Sequence, residues 1–372
     1  MINQALNLDL PKKKWLVIHY GASDNDLAKF VYSDVDEMEK IGSNDSMHIV
    51  SVLDLGHHKG QNLYEGTNVF YITKDSQEGK INSQIVKSLG QVNTADPQFM
   101  SSILSEIIDK FPADNIALII SSHGMGWKGV VVDHGQKDYM TINELREALE
   151  KVVKEKGRKL NIIAFDACLM AMAEVGYELR SVTKYMVASQ KIHGLGGYDY
   201  TTLLKGVRGK PKQVAIAFVN AAKKYYENIN SLSAVDLSKA SKLAKVLDSF
   251  ASTLLKFSDN DITKVKDKLV KVQKFDFDFK DLKHFMELIV EDKEINFEIR
   301  QKAQEVIQVL DEYVVKEFHI PQYPNANGVN IEFDLRENQQ KLKEYKQTLF
   351  AKDTKWDEMI LCFDACRERV YN

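Results

Sequence analysis

Two runs of the sequence carry reactive polar residues at the point where an apolar stretch stops. The first is Ile119-Ile-Ser-Ser-His123-Gly124-Met-Gly126-Trp127, and the second is Ile162-Ile-Ala-Phe165-Asp166-Ala-Cys168-Leu169-Met170. Open α/β sheets form their sites where strands end, so both runs deliver their polar residues to a productive edge. A cysteine attacks as thiolate, and an imidazole beside it can take the proton and return it to a leaving group. A glycine after the histidine lets the backbone approach a substrate and present an N–H group to a developing oxyanion. Cys168 falls where a helix over Leu169 to Arg180 is expected to begin, and the positive end of that macrodipole would favour thiolate. Each residue alone has an ordinary reading, His123 bonded to a backbone carbonyl and Cys168 filling space in the core. The pair is harder to dismiss, because a thiol nucleophile needs such a base and both residues end strands of one sheet.

The tetrapeptide Phe-Asp-Ala-Cys occurs twice, at Phe165 to Cys168 and at Phe363 to Cys366. The second copy follows apolar residues at helical spacing (Trp356, Met359, Ile360, Phe363), so Cys362 and Cys366 read as packing or a frayed helix end. His123 and Cys168 stand 45 residues apart. That is near the roughly 50 by which histidine precedes cysteine in caspases, although the local signature of that family is missing.

The elements that must position these residues follow from periodicity. Short β-rich runs are predicted as strands at Trp15 to Tyr20, Met47 to Leu55, Asn68 to Ile72, Asn115 to Ser121, Gly129 to Asp133, Leu160 to Phe165 and Tyr185 to Ala188. Helical patterns lie between them at Asp26 to Ile41, Pro97 to Lys110, Thr141 to Lys156 and Leu169 to Arg180, with a Thr141/Glu144 capping box marking one start. The alternation implies an α/β sheet covered by helices. From about Asp236 long amphipathic patterns take over, such as Ile299, Ala303, Val306, Ile307, Leu310 and Val314. A strand-like run at Val329 to Phe333 then suggests a return to a sheet. The chain divides on this texture into residues 10–257 and a mainly helical 258–372 with a strand near 328–333.

The chain's 372 residues, 44% hydrophobic, suffice for a substantial core. Fifty Lys and Arg against 53 Asp and Glu leave a net charge of −3, which argues against a nucleic-acid partner. No stretch is apolar enough to span a bilayer, and the N-terminal charges follow the apolar residues, the wrong order for a signal peptide. Location stays open between export and cytoplasm. Three cysteines cannot make a disulfide framework. Neither G-x-x-x-x-G-K-[ST] nor G-x-G-x-x-G follows a strand, which excludes a nucleotide-binding loop.

In these residues the sequence resembles the clostripain-like cysteine peptidases, a group with a caspase-like fold and a His-Cys dyad. The resemblance rests on Trp15 to Tyr20 leading to Asp24-Asn25-Asp26-Leu27, on Gln91-Val-Asn93-Thr-Ala-Asp96-Pro97, and on the two runs above. It continues through Glu174, Val175, Tyr177-Glu178-Leu179, Ala188-Ser189, Gly197-Tyr198-Asp199-Tyr200, Leu232 to Ser238 and Phe350 to Asp357. The loop Gln190-Lys-Ile-His-Gly194-Leu-Gly196 departs from it, lacking the acidic and proline residues associated with that segment.

The resemblance implies a mostly parallel caspase-like sheet with helices on both faces. It implies an endopeptidase in which Cys168 attacks, His123 moves the proton, and the backbone N–H groups of Gly124 and Cys168 receive the oxyanion. It also implies cleavage after Arg or Lys, for which a carboxylate partner is needed. Asp166 is the first choice and Asp199 the second; the ordinary alternative for each is a carboxylate capping backbone N–H groups. Some members mature by self-cleavage, and Lys137 in the polar stretch Asp133 to Tyr139 is the expected P1 residue, with a plain solvated turn as the alternative. The dyad requires no metal. Calcium dependence is known in the group, but no D-x-[DN]-x-[DN]-G loop is present, and Asp24 with Asp26 is too little to count. The implied partners are protein or peptide substrates, for a monomer or one nicked into two associated chains. An idle caspase-like scaffold or binding module is the competing class. His193, His57 and His58 read as ordinary loop histidines.

Overall fold

The computed structural model describes residues 10–56, 64–224, 227, 229–335 and 339–370, the last seven as helical backbone only. His57 and His58, and the Cys366 side chain, lie outside the described residues. Thirteen strands occur among the described residues: β1 (Lys13–Ala22), β2 (Met47–Asp54), β3 (Thr67–Tyr71), β4 (Gln84–Gly90), β5 (Ala113–Ser121), β6 (Gly129–Asp133), β7 (Asp138–Thr141), β8 (Leu160–Asp166), β9 (Thr183–Ala188), β10 (Ser231–Asp236), β11 (Lys280–Asp281), β12 (Val314–His319) and β13 (Asn330–Ile331). Nine of them form one sheet in the order β12-β10-β9-β8-β5-β1-β2-β3-β4. Its centre, β9-β8-β5-β1-β2, is parallel, and an antiparallel pair flanks it on each side.

The central strands are apolar on both faces because both are covered. Along β1, Leu16, Ile18, Tyr20 and Ala22 enter one core and Trp15 and Val17 the other. The second core is closed by α1 (Ala28–Glu39), through Val31, Val35 and Met38, and by the segment Tyr200 to Ala222. The first takes α2 (Pro97–Lys110), α3 (Ile142–Lys156) and α4 (Ala173–Leu179), and continues without a break into helices of the C-terminal third, out to Phe363. The Thr141/Glu144 capping box starts α3, with the Glu144 carboxylate returning to the Thr141 N–H at 2.9 Å.

All seven predicted strands form, but Gly129 to Asp133 pairs with β7 in a separate hairpin and stays outside the large sheet. The run Val329 to Phe333 also stays outside it; only Asn330–Ile331 is strand, paired with Lys280–Asp281. The segment that joins the sheet from the C-terminal third is Val314–His319, which pairs antiparallel with β10. Its first valine completes the helical pattern of the preceding helix (Phe297–Tyr313), which hides the change of period in the sequence.

The helix expected over Leu169 to Arg180 begins only at Ala173. Leu169 is left-handed (φ 68°) and Met172 extended (φ −116°, ψ 150°), so the chain makes a turn and a short extended step before α4. A leucine pays for the left-handed conformation with a Cβ clash, and this turn is held by Leu169 N–H to Lys191 O (3.2 Å) and Ala171 N–H to Ser189 O (2.9 Å).

Candidate active site

β5 and β8 are parallel neighbours in a register that puts Ser121 beside Asp166. His123 and Cys168 each lie two residues past that pair, so one register fixes both loops at the same sheet edge. The strand order reverses between β1 and β5, since β2 lies on one side of β1 and β5 on the other; such a switch point is where open sheets bind ligands. Asp26, in the loop after β1, accepts a hydrogen bond from or shares a proton with His123 Nε2 at 2.7 Å. That bond, ahead of any other cause, holds the Asp26 carboxyl below its usual range.

The histidine loop is braced from below. Ser122 Oγ donates to Ala22 O at 2.7 Å and accepts from Val132 N–H at 3.1 Å, while Val131 N–H donates to His123 O at 3.2 Å. Trp127 is buried and donates from Nε1 to Glu332 at 2.8 Å, which anchors the loop to the C-terminal region. Gly124 lies against the cysteine loop so closely that a Cβ there would stand 2.3 Å from Cys168 O and 3.0 Å from Cys168 N. Only glycine fits that approach.

Cys168 is half-buried, and burial pushes its thiol above the ordinary value; a backbone N–H from His193 acts in the opposite sense but is the smaller effect. The expectation of a helix dipole favouring thiolate is therefore corrected. α4 starts five residues past Cys168, beyond the first turn over which a macrodipole acts.

Around these groups is a cavity of about 920 Å³, whose lining includes Asp26, Asp34, His123, Asp166, Cys168 and His193. A profile of the Clostripain family, Peptidase_C11, matches residues 19–363.

The chain belongs to the clostripain family.

Clostripain from Hathewaya histolytica is 24% identical over 220 residues, which are 52% of this chain and 38% of that protein. The match thus spans well under half of that relative's length. A secreted C11 cysteine protease from Bacteroides thetaiotaomicron, solved with an irreversible peptide inhibitor, superposes with a TM-score of 0.70 at 20% identity, covering 92% of this chain and 99% of that one. An inactive zymogen C11 protease from Parabacteroides distasonis gives 0.71 at 20% identity, covering 93% and 99%. These structures share the α/β fold with its large, mostly parallel sheet.

In this clostripain-family chain Asp166 is buried at the cavity and heavily engaged. It accepts from Tyr200 Oη at 3.0 Å and Tyr198 N–H at 3.2 Å, and His193 Nδ1 lies 3.3 Å from its other oxygen. Gly197, left-handed at φ 50°, passes so near that a Cβ would come within 2.7 Å of the carboxylate. His193 is thus no ordinary loop histidine: its ring covers Asp166 and its Nε2 is buried without a hydrogen-bond partner. Asp199 takes the other path foreseen for it. It caps the helix Tyr200–Lys205, accepting from Thr202 N–H and Oγ1 at 2.8 Å each, and is not part of the cavity lining. Lys137 is exposed in the turn between β6 and β7, left-handed at φ 54°, and is likewise absent from the lining. His134, three residues earlier, does reach the cavity and stacks on His123 with ring centroids 6.2 Å apart.

A second group of carboxylates lies behind the histidine loop. Asp24, Asp54 and Asp133 bring oxygens within 4.8 Å of one another at the ends of β1, β2 and β6. Thr67 Oγ1, buried beside Asp54, makes no well-formed hydrogen bond. Three carboxylates and a hydroxyl are the hard oxygen donors that suit calcium. The sequence hid this group because its members come from three separate strands. It hid Asp26 and Asp34 for a similar reason, although an aspartate on the apolar face of α1, between Val31 and Val35, was a readable anomaly.

Proposed function

We propose that this protein is a cysteine endopeptidase that cuts peptide bonds after Arg or Lys. The observation that carries the reading is the shared register of β5 and β8, which brings His123, already held by Asp26, and Cys168 to one cavity with buried Asp166. Cys168 Sγ attacks the scissile carbonyl carbon and its proton passes to His123. With Nε2 held by Asp26, Nδ1 is the nitrogen that takes it. His123 then protonates the leaving amine as the C–N bond breaks, and water hydrolyses the thioester. A thiol raised by burial leaves little thiolate at neutral pH, so His123 acts as general base during attack.

The N–H groups of Gly124 and Cys168 are spent on no hydrogen bond among the described residues, which supports their role as oxyanion donors. Asp166 is the carboxylate for a basic P1 side chain. Asp199, tied to its helix cap, has no part in this reading. Cleavage after Lys137 would open a turn that starts at the cavity rim with His134, which supports self-processing by a neighbouring copy or by a rearranged turn.

The test is turnover of fluorogenic peptides ending in Arg, Lys, Asp or Leu, beside Cys168→Ala, with both proteins followed on a denaturing gel. Turnover of Arg and Lys substrates alone, abolished in the variant, is expected. Turnover of none, with and without calcium, would leave the chain as a caspase-like scaffold.

A further inference from the structure

One buried acid has no use in the mechanism above. Asp34 projects from α1 into the cavity, is 6% exposed, and makes no hydrogen bond or ion pair among the described residues. The charges that act on it, Asp166 and Glu37, are both carboxylates, and burial with these neighbours drives its carboxyl far above the usual range. An acid without a donor in such a place is costly, and an apolar residue between Val31 and Val35 would pack there without penalty. Asp166 meanwhile has most of its lone pairs occupied by Tyr198, Tyr200 and His193.

We propose that Asp34 is a second carboxylate of the P1 pocket, seating a guanidinium jointly with Asp166. The inference rests on the basic-P1 reading above. A guanidinium carries five N–H donors in a planar fork and can satisfy two acids at once; an ammonium is a point charge with less to gain from the second. The pocket therefore selects Arg over Lys. The loop after β1 and the helix that follows it thus serve both ends of the site: Asp26, which holds His123, lies in the loop, and Asp34 lies on α1.

The experiment compares wild type, Asp34→Asn and Asp166→Asn on peptides identical except for P1 Arg, Lys or citrulline, the neutral isostere of Arg. Labelling of Cys168 by iodoacetamide reports an intact site in each variant. Asp34→Asn is expected to lower kcat/KM for Arg by about thirtyfold or more, the usual effect of truncating one partner of a buried pair. Its loss on Lys should be smaller and on citrulline smallest. An unchanged Arg-to-citrulline ratio in Asp34→Asn, while Asp166→Asn collapses it, would overturn the role of Asp34 and leave the basic pocket standing. A wild type that fails to discriminate Arg and Lys from citrulline would overturn both. Should Asp34→Asn not fold, Asp34→Glu decides: a reduced Arg-to-Lys preference supports the joint seat, and an unchanged one overturns it.

Discussion

At the level of single residues, the contact between His123 and Asp26 is worth less than its short distance suggests. The Asp26 side chain is 71% exposed, so solvent and salt screen the pair to about 1 kcal/mol or less. Asp26→Asn is accordingly expected to lower kcat by about fivefold, with KM little changed and the loss shrinking as ionic strength rises. His123→Ala removes the proposed proton carrier and is expected to cost about a hundredfold or more. Steady-state kinetics at two salt concentrations distinguish the two variants; equal losses would make Asp26 part of the proton-transfer machinery and not a positioning residue. Gly124 also matters through its shape. Gly124→Ala must separate the two site loops, because its Cβ meets backbone at 2.3 Å, and activity should fall by orders of magnitude in a protein that still unfolds cooperatively. His123, Gly124, Asp166 and Cys168 were legible because each follows an apolar run. Asp26 and Asp34 were not, since what matters about them is a neighbour some 97 residues away in one case and a cavity in the other.

At the level of elements, the parallel centre of the sheet was readable because strands buried on both faces announce themselves as continuous apolar runs. Edge strands do not. β4 mixes apolar and polar residues that are exposed or half-buried, and β12 is half-buried throughout and follows a helix whose apolar period it continues. The start of α4 was misplaced because nothing in Leu169 signals a left-handed residue; long-range hydrogen bonds to Lys191 and Ser189 impose it. Strand ends also gather Asp24, Asp54 and Asp133, and a calcium ion there would tie β1, β2 and the hairpin that bears Lys137. Calcium is therefore expected to raise the thermal midpoint, by about 2.7 kcal/mol in stability at a hundred times its dissociation constant. Asp54→Asn should abolish the response. A midpoint indifferent to calcium in the wild type would remove the ion from any account of this fold.

At the level of the whole molecule, a buried acid is one of the ties between the C-terminal third and the rest of the fold, beside the shared core and the β12–β10 pairing. Glu174 Oε1, on α4, accepts from Glu332 N–H and Tyr345 Oη at 2.9 Å each, while Oε2 is buried without a partner. Glu332 in turn receives Trp127 from the histidine loop and Lys341 at 3.2 Å. Burial lifts the Glu174 carboxyl from 4.5 to about 7. The folded protein thus holds a proton that the unfolded chain releases at lower pH. The stability this supplies is fully present below about pH 4.5 and is lost as pH rises towards 7, roughly 3 kcal/mol in all. Other buried groups titrate over the same interval: Asp54 and Asp357 are raised to about 6 and lose stability in the same direction, whereas His19, lowered to about 4, loses it as pH falls. The wild-type profile alone therefore cannot isolate Glu174, but its difference from Glu174→Gln can. Glutamine keeps the acceptor used by Glu332 and Tyr345 and carries no charge at any pH. Urea unfolding at pH 5 and pH 8 should find the two proteins nearly equal at pH 5 and the variant more stable at pH 8 by up to about 3 kcal/mol. A variant less stable at pH 8 would mean that Glu174 is ionised in the fold, with its charge carried by the Tyr345 and Glu332 donors, and that the tail is held by a charged clasp.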